Sequence, residues 1–209
     1  MLSELPPLWL LLAACAVNAA GDVLLLWGSR HTNWKPGFEA LAKTPPSFVR
    51  TGALVGLVTI PCWFLAAPFI ALIPGDTGAV AYISFCSYVA AALAFHVCYG
   101  FIGAALHSDP DLKTSMESLA KPLLLFCFMS AVVASVAIAY AGADGRLVMV
   151  WYHYAFLPAP AIILIQMGLG GALKGVPFFQ IISGPAAMAA FFVSFHSLIA
   201  ENTDVLLVR

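Results

Sequence analysis

Charge is scarce in this chain. Only 9% of its 209 residues are Asp, Glu, Lys or Arg, against about 25% in an ordinary soluble domain. A soluble globule of this length needs more polar side chains than that to cover itself. A basic excess is missing too: the net charge is −1, so nothing marks an electrostatic footprint for nucleic acid. The five cysteines (Cys15, Cys62, Cys86, Cys98 and Cys127) form no CxxC pair and all fall inside apolar runs. They read as small packing residues, without disulfide or zinc duties. No H-x-x-H, E-x-x-H or H-x-x-x-H spacing occurs, so the histidines carry no metal-binding motif. The pattern assigns no cofactor.

What the chain has in abundance is apolar surface. Hydrophobic residues make up 62% of it, and the mean hydropathy is +0.97. Lipid is the solvent that tolerates such a chain. A membrane-spanning helix needs about 20 mostly apolar residues, and six stretches qualify: 8–27, 51–73, 79–106, 122–143, 147–169 and 178–199. Pro, Gly, Asp and Lys collect in the breaks between them. No linker resembles a domain boundary and no repeat stands out. The expectation is an all-α polytopic bundle of about six transmembrane helices, forming a single transmembrane domain over residues 1–209.

Lys and Arg distribute unevenly over the loops. Arg30, Lys35, Lys43, Arg50, Lys113, Lys121 and Lys174 follow spans one, three and five, whereas the other side holds Arg146 and Arg209. By the positive-inside rule both termini are expected away from the cytoplasm. Leu12-Ala13-Ala14-Cys15 matches a lipobox, but Glu4 precedes it and no Lys or Arg does. An uncleaved first helix is therefore expected.

One acidic residue stands inside a span. Asp22 lies five residues before the end of the first stretch, and Asn18 sits one turn earlier on the same face. An ionised carboxylate at that depth costs several kcal/mol (~2.5–3.5 on insertion scales) unless it faces the bundle interior and finds a partner. The bland reading is a polar clamp between helices. In the third span, Ser84, Tyr88, His96, Tyr99 and His107 recur at helical period, with Ala92 and Gly103 in the gaps. Spans one and three run in the same direction, which brings Asp22 and His96 to similar depth. A carboxylate beside an imidazole fixes its tautomer, an arrangement suited to acid–base work. Asp22, His96 and Tyr99 are thus the candidate catalytic groups.

Further candidates are for substrate binding: Asn18, Tyr88, His153, Tyr154, Gln180 and His196. His153 opens the fifth span between Tyr152 and Tyr154, and His196 ends the sixth, with Asp144, Glu201 and Asp204 near in sequence. Trp151, Tyr152 and Tyr154 are also ordinary interfacial belt residues. Prolines at 61, 68, 158, 160 and 185 predict irregular helices in spans two, five and six, such as line an internal pocket. Gln180, Ser183, Ala187, Ala190, Ser194 and Ser197 give the sixth span a small, polar face.

Three segments, Gly21-Asp22-Val23-Leu24-Leu25, Ala66-Ala67-Pro68-Phe69 and Ala94-Phe95-His96, carry a resemblance to an uncharacterised family of small bacterial integral membrane proteins. The resemblance implies a membrane bundle and singles out Asp22 and His96, but implies no reaction. Gly-Asp-Val-Leu-Leu also occurs in lysoplasmalogenase-like membrane hydrolases, whose further acidic residues have no counterpart here. Membrane-bound terpene cyclases and sterol isomerases are similar in architecture alone.

Three functions follow as alternatives. The first is a membrane enzyme that uses the acid–base pair on a lipid or isoprenoid by isomerisation, cyclisation or hydrolysis. The second is a protein that binds membrane lipid, a hydrophobic small molecule or a partner span without chemistry. The third is a small proton-coupled transporter. Gly100-x-x-Gly103 and the glycines within 168–175 are expected close-packing sites for a homo-oligomer.

Overall fold

The structure, a computed structural model, describes residues 8–169, 173, 176 and 178–207. Lys174, Arg209 and most of the 168–175 glycine cluster lie outside them. The described chain is all helical, and five of its helical segments are long and apolar enough to cross a membrane.

Helix α1 (Leu8–Leu25) buries Leu11, Ala14, Cys15, Asn18, Gly21 and Leu25, a stripe at three- and four-residue steps. The chain then makes a 3-10 turn (Trp27–His31) and a one-turn helix α2 (Phe38–Ala42). Helix α3 (Pro46–Thr59) opens with proline in its first turn, where the missing N–H is no loss. Pro61 then loosens the helix into a 3-10 stretch (Ile60–Ala66), and α4 (Ala67–Ile70) restarts around Pro68. Helix α5 (Asp76–Ser108) starts after Gly75, whose φ of 78° suits glycine, and its first turn carries Asp76 against the helix dipole. Its neighbour α6 (Lys113–Ala143) packs along most of its length.

The fifth apolar stretch is not a continuous helix. It breaks into α7 (Trp151–Ala155), α8 (Pro158–Ile162) and a π-helical run (Ile163–Leu169). Leu157 is extended because it precedes Pro158. Helix α9 (Phe179–Glu201) runs uninterrupted through Pro185, and α10 (Thr203–Leu207) ends the described chain.

Hydrogen bonds at the two ends show that the broken segment still crosses the bundle. At one end, Arg146 donates to the Pro74 carbonyl (3.3 Å) and to Thr77 (3.2 Å). At that same end the buried Asn202 side chain accepts from the Val148 N–H (2.6 Å) and donates to its carbonyl (3.0 Å). At the other end, Phe178 packs on Trp27 and Trp34 with centroids 6.0 and 4.4 Å away. There too His107 meets the Thr44 carbonyl. Residues 150 and 178 therefore lie at opposite ends of the bundle.

The core is built around Phe85, Ile138, Met188, Phe191, Phe192 and Leu198, all essentially inaccessible. Large apolar side chains also cover the outside: Trp9, Val58, Phe101, Leu125, Phe126 and Val136 are more than half exposed. A continuous greasy exterior over a small polar interior is the arrangement of a membrane-embedded bundle in contact with lipid. Gly100 and Gly103 pack inside this chain. A Cβ on Gly100 would lie 2.5 Å from that of Ala53, and one on Gly103 would lie 2.8 Å from Val49. Both glycines thus allow close helix packing within this chain.

Candidate functional site

Asp22 and His96 meet. His96 Nδ1 lies 3.2 Å from Asp22 Oδ1, and the two side chains are 8% and 16% exposed. The other ring nitrogen, Nε2, lies 3.0 Å from the carbonyl oxygen of Gly52 on α3. A carbonyl only accepts, so Nε2 carries a proton. The Nδ1–Oδ1 contact then holds a further proton, on one side or the other. With one proton there the pair is neutral overall, which is the least costly state for a carboxylate and an imidazole taken out of water.

Helix packing fixes this geometry. Gly52 and Gly56 form a small-xxx-small step on α3. A Cβ on Gly52 would come within 2.6 Å of the Gly21 carbonyl and the Leu25 N–H group's nitrogen, so α1 and α3 touch backbone to backbone. A Cβ on Gly56 would sit 2.1 Å from the His96 ring. One glycine lets α1 approach, and the next makes the slot into which the imidazole fits.

Asn18 completes the network. Its Nδ2 donates to Asp22 Oδ2 over a long 3.5 Å, and its Oδ1 accepts from the Thr59 hydroxyl at 3.1 Å. Thr59 is 2.9 Å from the Val55 carbonyl as well. Four side chains and two carbonyls from α1, α3 and α5 thus form a single chain of contacts.

This network borders a cavity of about 420 Å³, within the range of about 300–1,000 Å³ typical of small-molecule sites. Tyr88, Tyr99 and Gln180 line it together with Asn18, Asp22 and His96. The rest of the wall is mostly apolar or aromatic, including Trp63, Phe95, Phe128 and Ile162. Tyr88 is only 6% exposed. Tyr99 is held in an aromatic cluster with Phe38 and Phe95. On one flank the wall consists of Leu124 and Phe128 of α6 and Ile162 and Gln166 of the broken segment. Helix α6 packs on α5 and α8.

Six of the nine candidate residues therefore gather around one cavity: Asn18, Asp22, Tyr88, His96, Tyr99 and Gln180. His153, Tyr154 and His196 do not join them. His153, 1% exposed, accepts from the Val150 N–H through Nδ1 (3.2 Å), with Nε2 4.0 Å from Glu201 Oε1. Glu201 in turn accepts from Tyr152 (3.0 Å) and Ser197 (2.9 Å). This is a second His–carboxylate pair, at the end of the bundle that carries Asn202. Tyr154 packs its hydroxyl near Gly142, and His196 borders a void of about 20 Å³ beside Leu8 and Phe195. Asp144 pairs with Arg146 at 2.7 Å. No group of three or more His, Cys, Asp and Glu positioned to hold a metal occurs among the described residues.

Sequence reasoning passed over Gly52, Gly56, Thr59 and Asn202. The Gly52-x-x-x-Gly56 spacing was the available signal for the first two.

No family model, no curated protein and no solved structure matches this chain. The resemblance carried by the Gly21–Leu25, Ala66–Phe69 and Ala94–His96 segments gains no support from them, and the functional reading rests on geometry.

Proposed function

We propose that this protein is an integral membrane enzyme that acts on a lipid or isoprenoid, with Asp22 as the proton-transferring group and His96 as its partner. The observation that carries this reading is the Nδ1–Oδ1 contact of 3.2 Å at the wall of a largely apolar cavity. Both ring nitrogens of His96 are engaged, so the carboxyl is the member that faces substrate through Oδ2. As an acid it releases the shared proton and leaves a carboxylate that accepts from Asn18, beside a neutral imidazole. As a base it accepts a proton while the imidazole shares the charge. Such transfers suit isomerisation or cyclisation of an alkene chain and hydrolysis equally. Tyr99 and Tyr88 line the same space and supply polar contacts to a bound molecule.

The test is product formation. Wild-type protein and Asp22→Asn are incubated with membrane lipid extract, and the lipids are compared by mass spectrometry. A new species with wild type alone is expected, from variants that remain folded and monodisperse. The same product from Asp22→Asn removes the proposal.

One observation favours a second reading. His96 ties α1 to α3 by hydrogen bonds at both nitrogens, as an interhelical clamp does. In that case the protein binds a lipid without changing it, and Asp22→Asn lowers thermal stability with no product lost. For orientation, the end carrying Arg30, Lys35, Lys43, Arg50, Lys113 and Lys121 is assigned to the cytoplasm, because positive charge is retained there.

A further inference from the structure

A second, polar pocket of about 340 Å³ adjoins the cavity. Pro36 and Gly37 line both spaces, so a single turn of backbone is the wall between them. Gly37 has a φ of 146° that an L side chain rarely adopts, and it leads directly into α2. The Thr32 hydroxyl lies within 3.0 Å of the Ser29 and Lys35 carbonyls and pins the same loop.

The charges in this pocket are unequally matched. It is lined by Lys35, Lys113, Glu39 and Glu117. Glu39 already has Lys43 at 2.7 Å, and Glu117 has Lys121 at 4.0 Å. Lys35 and Lys113 have no carboxylate within 4.0 Å among the described residues, although the Lys113 charge helps Lys43 hold the Glu39 carboxyl below its usual range. With Lys43 and Lys121 counted, four ammonium groups stand with two carboxylates here, an excess that suits an anion. This excess adjoins, across Pro36 and Gly37, a cavity whose lining is mostly apolar.

From this arrangement we infer that the ligand is an amphiphile with a phosphate-bearing head and a hydrocarbon chain. The head sits between Lys35 and Lys113, and the chain passes the Pro36–Gly37 wall into the cavity. This rests on the cavity being the substrate site, and it narrows the substrate class. It also puts Asp22 against the chain and away from the head, so the bond that changes is in the hydrocarbon.

Farnesyl phosphate, farnesol and inorganic phosphate are suitable probes, each titrated against the purified full chain in maltoside detergent and read by thermal shift and native mass spectrometry. Farnesyl phosphate is expected to bind at least tenfold more tightly than farnesol, and inorganic phosphate alone to give no comparable shift. Lys35→Gln with Lys113→Gln should erase the tenfold preference and leave farnesol affinity unchanged. Arg30→Gln with Arg50→Gln removes the same charge outside the pocket and should preserve the preference. Equal binding of the two farnesyl compounds by wild type overturns the head-group assignment while the cavity reading stands. So does a phosphate shift matching that of farnesyl phosphate, or loss of preference in the arginine variant. Failure of both farnesyl compounds to bind overturns this inference and the cavity reading together.

Discussion

Gly56 and His96 fit as slot and key: no side chain at residue 56 is compatible with the imidazole where it lies, because a Cβ there would stand 2.1 Å from Cδ2 and Nε2. The ring is thereby pressed toward the Gly52 carbonyl on one edge and Asp22 on the other. A histidine so confined keeps one tautomer, and the carboxyl beside it keeps one orientation.

Gly56→Ala is accordingly expected to destabilise the protein by about 1–3 kcal/mol, the cost of overpacking a tight interior. Gly52→Ala should cost at least as much, since the atoms it meets are backbone and cannot rotate away. Gly184→Ala is the contrast. Its Cβ would find only Gln166 Nε2 at 4.0 Å, so a change within about 0.5 kcal/mol is expected. Thermal unfolding in detergent ranks the three. A Gly56→Ala variant as stable as wild type would mean that His96 does not occupy this slot.

Asp22 and His96 should be energetically coupled. His96→Ala leaves a carboxyl enclosed without its main partner, and Asp22→Asn leaves an imidazole with a neutral one. A double-mutant cycle should give a coupling of about 1–3 kcal/mol. Additive effects would indicate that the two side chains do not touch.

Asn202 is expected to be a strong structural residue despite its place near the end of α9. It is 1% exposed, and it bonds both backbone groups of Val148 and the Leu198 carbonyl (2.8 Å). Asn202→Leu strands buried backbone groups and should cost about 1–3 kcal/mol. Because the bonds hold the 144–150 loop, proteolysis in that loop should accelerate in the variant. Unchanged cleavage would argue against the clamp.

Topology gives an independent check. A cysteine placed at Asn33 and one at Gly145 lie at opposite ends of the bundle, and both positions are exposed. In intact cells a membrane-impermeant maleimide should label the second and spare the first. The reverse pattern would invert the assigned orientation.

The sequence revealed the bundle through its greasy runs, since a 20-residue apolar stretch has few alternatives in water or lipid. The Asp22, Asn18 and His96 cluster was legible for a related reason: polar groups in such runs are costly, so they must converge. The break at Phe156–Leu157 was foreshadowed by Pro158 and Pro160, but its form, two short helices and a π-helical run, was not. Which helix offers the carbonyl to His96 depends on how α1, α3 and α5 pack, and spacing along one chain does not encode that. His153 and His196 illustrate the same limit. Both are polar residues near the ends of spans, yet one is paired with Glu201 and the other borders a small apolar void.

The most direct test of the account is the protonation pattern of His96, read by ¹⁵N NMR of histidine-labelled protein in lipid bilayers, with His96→Gln to assign the signal. Nε2 is expected to be protonated and Nδ1 hydrogen-bonded, with an Nδ1 resonance that moves when Asp22 is replaced by Asn. A bare Nε2, or an Nδ1 resonance indifferent to Asp22, would contradict it.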